Sequence, residues 1–190
     1  EGGSSFEAKE ALSDFTLALG FAVFGIFMLI ALLFNSYSQP LLVILSIPFA
    51  LIGVVWAFFF HSEPFSFFVL LGVLALVGVV VNDSLVMISH LNFIKQSQDK
   101  DSSSIQWIAM GAKDRLRAVI LTTLTTLAGV LPLIYGFGGK DAFLQPMVMA
   151  LGYGLLFGTF VTLILLPCLY SLNLDLANWI KKIKNSLLKT

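Results

Sequence analysis

Five apolar stretches, each long enough to cross a lipid bilayer, constrain this chain more than any other feature. They run over residues 15–34, 40–60, 65–92, 118–137 and 147–172. A spanning helix needs about 20 mostly apolar residues. Lipid offers the backbone no hydrogen-bond partners, so each stretch must satisfy its own amides as a helix, and an open sheet edge is excluded. The spacing therefore predicts an all-α membrane protein, a bundle of five transmembrane helices. Composition agrees: 58% of the 190 residues are hydrophobic and 12% are charged, against about 25% charged in a soluble domain.

The connections are short. Asn35-Ser36-Tyr37-Ser38-Gln39 and Pro40 form a polar turn that fits an antiparallel hairpin. His61-Ser62-Glu63-Pro64 joins the second span to the third, with Pro64 suited to the first turn of the new helix. Gly138-Gly139-Lys140-Asp141 joins the fourth to the fifth. Nine of the eleven lysines and arginines follow the third span or the fifth, leaving Lys9 and Lys140 on the other side. The positive-inside rule then places the N-terminus outside and the C-terminus in the cytoplasm.

Three segments lie outside the spans. Residues 1–14 are polar and acidic and have neither the basic start nor the apolar core of a signal peptide. With no initiator methionine, they read as a linker within a longer protein. Residues 103–114 begin with serines suited to an N-cap and carry Ile105, Trp107, Ile108 and Met110, as expected of a segment lying at the cytoplasmic interface. Residues 173–190 set leucines, Trp179 and isoleucines among lysines, an amphipathic cytoplasmic tail or a disordered terminus.

Asp83 is the one formally charged residue in any span. An ionised carboxylate at membrane depth costs several kcal/mol, so such a group faces a bundle interior or a wet cavity and has a partner or a bound proton. At helical spacing it shares a face with Gly72, Leu76, Val79, Val80, Met87 and His90. Burial and a nearby cation act on a carboxylate in opposite directions, and a group held between them can load and release protons. The alternative is a structural aspartate held by Asn82, Ser84 or a threonine. Thr122, Thr123, Thr125 and Thr126 make span four unusually polar; they are candidate donors to Asp83, Thr122 first, unless they bond back to their own helix. Arg115 and Arg117 enter that span from the cytoplasm, as anchors or, for Arg115, as a counter-charge.

Other motifs carry less. Gly154-Leu155-Leu156-Phe157-Gly158 is a small-xxx-small pattern for close helix approach. His61 and Glu63 read as solvated surface, and two histidines so far apart make a poor metal site. Cys168 is alone, which excludes an intrachain disulfide and a multi-cysteine metal centre. The zero net charge gives no basis for nucleic-acid binding. No nucleophile–base pairing, phosphate loop or cofactor box is present, so neither an enzyme nor a cofactor is expected.

Phe34-Asn35-Ser36-Tyr37-Ser38-Gln39-Pro40, Ile47-Pro48-Phe49-Ala50-Leu51-Ile52-Gly53, Gly78-Val79-Val80-Val81-Asn82-Asp83-Ser84-Leu85-Val86, Arg115-Leu116-Arg117, Thr122-Thr123 and Gly129-Val130-Leu131-Pro132-Leu133 occur in that order. Together they resemble the resistance–nodulation–division (RND) efflux transporters over roughly residues 12–172. The resemblance implies the last five of twelve transmembrane helices in a transporter with two similar halves, residues 1–14 ending a periplasmic loop. It further implies a trimeric, proton-driven inner-membrane exporter of drugs, detergents, dyes or other amphiphiles, docked to a periplasmic adaptor and an outer-membrane channel. Its partners within the parent would be the N-terminal half and the periplasmic domains.

The family's main proton-binding aspartates lie on a helix this chain lacks. Well-known members carry, at the position of Asn82, a lysine that pairs with those aspartates. Asn82 followed by Asp83 departs from that pattern. Asp83, Asn82, Arg115 and Thr122 are thus the proton-relay candidates. Two other readings stand beside the exporter: a related membrane protein that assists protein export or senses lipid, and a structural assembly fragment.

Overall fold

The computed structural model describes residues 2–97, 104–137, 139 and 141–187. Five helices follow one another: α1 (Gly2–Phe34), α2 (Ser38–His61), α3 (Phe67–Ser97), α4 (Ser104–Tyr135) and α5 (Leu144–Leu187). No strand occurs among the described residues. All five helices are long and apolar enough to cross a membrane.

The apolar centres match the five expected spans, but the helices are longer. Residues 2–14, expected as a linker, are the first turns of α1. Glu7, Ala8, Lys9, Glu10 and Ala11 are good helix formers, and no proline interrupts them. The expected interfacial segment near 103–114 is likewise continuous with α4 from Ser104 onward. Of its apolar residues, Ile105 and Met110 are exposed, whereas Trp107 and Ile108 are buried in the protein core, Trp107 edge-on to Tyr170. The segment after residue 172 continues α5 as far as Leu187.

Hairpin ends are set by backbone geometry. Asn35 and Ser62 adopt left-handed conformations, φ 47° and 53°, just after α1 and α2. Such residues turn the chain out of a helix while amides beyond the end bond back to its last carbonyls. Ser62 N–H thus donates to Phe59 O and Glu63 N–H to Phe58 O. Pro40 lies in the first turn of α2, where a missing amide hydrogen leaves no bond unmade. Pro64 stands outside α3, which starts at Phe67, because residues 63–66 form a non-helical connection.

α5 is the hub. Among the described residues it packs against α2, α3 and α4, whereas α1 touches α2 and, slightly, α3. Small residues make the hub possible. Gly158 lies so close to Ala50 of α2 and Val80 of α3 that a Cβ there would come within 3.1 Å of each. A Cβ on Gly154 would overlap Leu76, and one on Gly72 would overlap the carbonyl oxygen of Met147. The apolar interior falls into two clusters. One holds Ile30, Val43, Ile88, Leu91, Trp107 and Tyr170, the other Ala50, Phe58, Val69, Leu76, Met149 and Leu155.

Candidate functional site

Asp83 sits mid-way along α3, half-buried, with no hydrogen bond or ion pair to any described residue. Its neighbour Ser84 is fully buried and held. Ser46 Oγ donates to the carbonyl of Val43, so its single proton is committed, and Ser84 Oγ must be the donor to Ser46 Oγ at 3.0 Å. That bond pins α3 against α2 one residue from the carboxylate.

The other candidates are not gathered around Asp83 by hydrogen bonds. Asn82 is exposed, on a stripe of α3 with Leu74, Gly78, Ser89 and Gln96. Thr122 Oγ1 donates to Val119 O of its own helix at 2.9 Å. Thr125 and Thr126 also bond back within α4. Such bonds satisfy a hydroxyl where no water is at hand. Thr123 differs: it is buried and meets Thr159 of α5 at 2.8 Å. Since Thr123 Oγ1 also donates to Val119 O, Thr159 is the donor across the helix pair. Arg115 is half-buried, and its Nε is buried without a hydrogen-bond partner.

Two polar groupings escaped the sequence reading. Gln39 and Asn92 exchange both amide bonds, at 3.1 and 2.9 Å, and Tyr170 donates to the same Asn92 oxygen at 2.7 Å. This node ties α2, α3 and α5 together at the end where Lys95 and Lys113 lie. Polar residues at the ends of antiparallel spans are the signal for it, too weak to use without the pairing of helices. The second grouping brings His90 of α3 to 3.6 Å from Asp114 of α4. At the opposite end, Asp141 accepts from Phe143 N–H at 2.8 Å and Leu144 N–H at 3.1 Å. The bonds from Leu144 and then Phe143 hold its carboxyl below the usual 3.8, against a smaller opposing effect of burial. Among the described residues no cluster of three His, Cys, Asp or Glu side chains is placed to hold a metal.

Residues 2–173 match the AcrB/AcrD/AcrF family. The chain belongs to that family of RND efflux transporters. It is 32% identical over 171 residues to the cobalt-zinc-cadmium resistance protein CzcA of Cupriavidus metallidurans, covering 90% of this chain and 16% of that protein. It is 26% identical over 168 residues to the multidrug resistance protein MdtC of Edwardsiella ictaluri, covering 88% of this chain and 16% of that one. The fold is similar to a crystal structure of a heavy metal efflux pump, with a TM-score of 0.75 and 25% identity over 87% of this chain and 16% of the pump. The chain thus spans 16% of the length of the curated relatives named here. The resemblance read from the motifs is a family relationship, and the five helices are those of a multi-pass membrane protein in a transporter family.

Proposed function

We propose that this chain is the proton-coupling part of an inner-membrane exporter, its N-terminus periplasmic and its C-terminus cytoplasmic. The observation that carries the reading is Asp83, a half-buried carboxyl in the middle of an apolar helix with no partner among the described residues. In a bilayer such a group either holds a proton or takes a partner from another part of the protein. If the two states prefer different helix arrangements, proton binding shifts the population between them.

The exposed stripe around Asn82 supports a further helix against this face. Gly78 and Ser89 leave room for close approach, and Asn82 and Gln96 are poor company for lipid. The remainder of the parent transporter, including its N-terminal half, supplies that helix, and the periplasmic domains select the cargo. Assembly as a trimer with a periplasmic adaptor and an outer-membrane channel completes the export route. Thr122 and Arg115 serve as secondary groups on α4, and Asn82 fills the lysine position without its charge.

The cargo in this reading is an amphiphilic compound, as the name of MdtC supports. A second reading, export of divalent metal cations, is favoured by the CzcA relative and the heavy metal pump structure. Cells expressing the full-length parent, wild type or Asp83→Asn, would be assayed for ethidium efflux and for zinc accumulation, with the proton gradient collapsed as a control. Gradient-driven movement of either cargo that is lost in Asp83→Asn supports coupling through Asp83. Movement that survives the substitution removes Asp83 from the coupling, and no gradient-driven movement of either cargo by wild type sinks the exporter reading.

A further inference from the structure

At the end of the molecule that carries Lys95, a cup of about 170 Å³ opens between α3, α5 and the turn from α1 to α2. Its walls include Ser36, Ser38, Gln39, Lys95, Tyr170 and Asn173. Gln39 and Tyr170 belong to the polar node with Asn92, so the node forms one wall and fixes α2, α3 and α5 around the cup. The side chains of Ser36, Ser38, Lys95 and Asn173 make no hydrogen bond or ion pair among the described residues. Each of them can donate, and Gln39 keeps a second amide hydrogen beyond the one given to Asn92. No carboxylate lines the cup. A recess with one cation, several free donors and no acid to pair them suits an anion.

The first turn of α2 adds to the positive field. It starts between the two serines with no side-chain cap and no acidic residue, and the start of a helix carries partial positive charge. Lys95 stands in the last turn of α3, where a cation also suits the helix end. Depth identifies the anion. The apolar spans end at Phe34, begin at Ser38, and end at Gln96 and Leu176, so the cup lies where the chain leaves the membrane, at the level of lipid headgroups. Basic pockets between membrane helices hold anionic headgroups. Gln39 and Lys95 also line a larger cavity of about 640 Å³, whose wall includes Leu33 and Phe34 at the end of α1. Leu33 is exposed, which gives an acyl chain an apolar surface beside the cup. Ser89 and Gln96, on the stripe assigned to a further helix, line the larger cavity but not the cup.

We propose that the cup binds a phosphate-type anion, and that its occupant is the headgroup of an anionic phospholipid. Lys95 supplies the charge, while the hydroxyls of Ser36 and Ser38 and the amide of Asn173 donate to phosphate oxygens. Such bonds to an ionised acceptor are shorter and stronger than neutral ones. The bound headgroup joins the α1–α2 turn to α3 and to the hub helix α5, so it reinforces the tie made by Gln39, Asn92 and Tyr170. The site is independent of Asp83 and of the cargo.

The test follows thermal melting of the detergent-solubilised full-length parent during titration with dioleoylphosphatidylglycerol, dioleoylphosphatidylcholine or sodium phosphate, at constant ionic strength. Phosphatidylglycerol should raise the melting temperature of wild type at a lower concentration than phosphatidylcholine. Lys95→Gln should raise the phosphatidylglycerol concentration for half of the shift about fivefold and leave the phosphatidylcholine response unchanged. Lys113→Gln, at an exposed position outside the cup, should keep the wild-type preference. A lysine that only serves the end of α3 would lower melting by the same amount in every lipid, which overturns the inference. So does wild type without a preference, a preference that survives Lys95→Gln, or an equal loss in Lys113→Gln. Sodium phosphate that reproduces the Lys95-dependent shift upholds the anion site but overturns the lipid as its occupant in favour of soluble phosphate. If Lys95→Gln is not recovered from membranes, Asn173→Asp, which puts a carboxylate into the cup, decides the matter: an unchanged phosphatidylglycerol preference overturns the site.

Discussion

α1 and α5 look alike as sequence, and α1 is the more apolar over its best window, yet they are opposites in the fold. Along α1 the side chains of Phe21 and Leu32 are 77% and 78% exposed, and Gly20 and Gly25 have nothing within 4 Å of where a Cβ would stand. Along α5, Met149, Ala150, Leu155 and Leu166 are buried, and Gly152, Gly154 and Gly158 each touch a neighbouring helix. In lipid, apolar surface drives no helix association, because tails are as apolar as leucine. Hydropathy tells which segments enter the membrane. Small residues and polar pairs tell which ones pack.

The sharpest way to break this contrast is a methyl group in each region. In Gly72→Ala the new Cβ meets the Met147 carbonyl oxygen, a backbone atom that no rotamer change removes. α3 and α5 must then separate, a loss of about 1–3 kcal/mol. Gly20→Ala adds a methyl to open space and gains helix propensity, so it should be neutral or up to about 1 kcal/mol more stable. Thermal melting of the detergent-solubilised full-length parent, followed by size-exclusion fluorescence, distinguishes them. Equal destabilisation would mean that α1 is packed as closely as α5 in the parent.

Polar pairs give the next effect. Asn92→Leu removes both amide bonds to Gln39 and strands the Tyr170 hydroxyl. Interhelical bonds in membranes average about 0.6 kcal/mol each, up to about 1.7, so the loss should be about 1–3 kcal/mol in the same melting assay. Smaller again is Thr159→Val, which deletes the single bond to Thr123 and should lose about 0.6 kcal/mol. Thr125→Val removes only bonds within α4 and should change stability by less than about 0.5 kcal/mol. If Thr125→Val proves the more harmful, the exposed side of α4 is a packed face in the parent.

Much of this arrangement was legible before the structure, and the misses share a cause. The five apolar centres follow from the solvation of the backbone, so they were readable. The ends were not, because a helix runs on through polar residues such as Glu7 and Lys113, and through Pro48, Pro132 and Pro167, until a left-handed residue such as Asn35, Ser62 or Gly136 turns the chain. Asp83 stood out because charge in a span is rare. Its surroundings were hidden, since the bond of Ser84 to Ser46 joins residues 38 apart in sequence. Four threonines were visible as a cluster, but only the helix rotation decides that Thr123, rather than Thr122, crosses to α5. His90 and Asp114 are ordinary residues apart, and only the close approach of α3 and α4 at Gly111 makes them a pair.

The smallest expected effect lies at the start of α5, where an exposed carboxylate helps begin the hub helix. Both amide bonds to Asp141 favour its ionised form, which keeps the folded-state carboxyl below the usual 3.8. The sign follows by linkage: the folded protein stays ionised at a pH where the unfolded chain has already taken up a proton. The carboxylate's contribution is therefore complete above the unfolded value, and it fades as pH falls below about 3.8 toward the lower folded value. Asp141→Asn keeps an acceptor oxygen but removes the charge. The melting temperature of the variant should fall slightly below wild type at pH 6, and the gap should be narrower at pH 3. A gap that does not narrow at all between pH 6 and pH 3 would trace the role of Asp141 to geometry rather than charge. Equal melting at both values would mean that the close packing of α5 against α2, α3 and α4 holds its first turn without help from the cap.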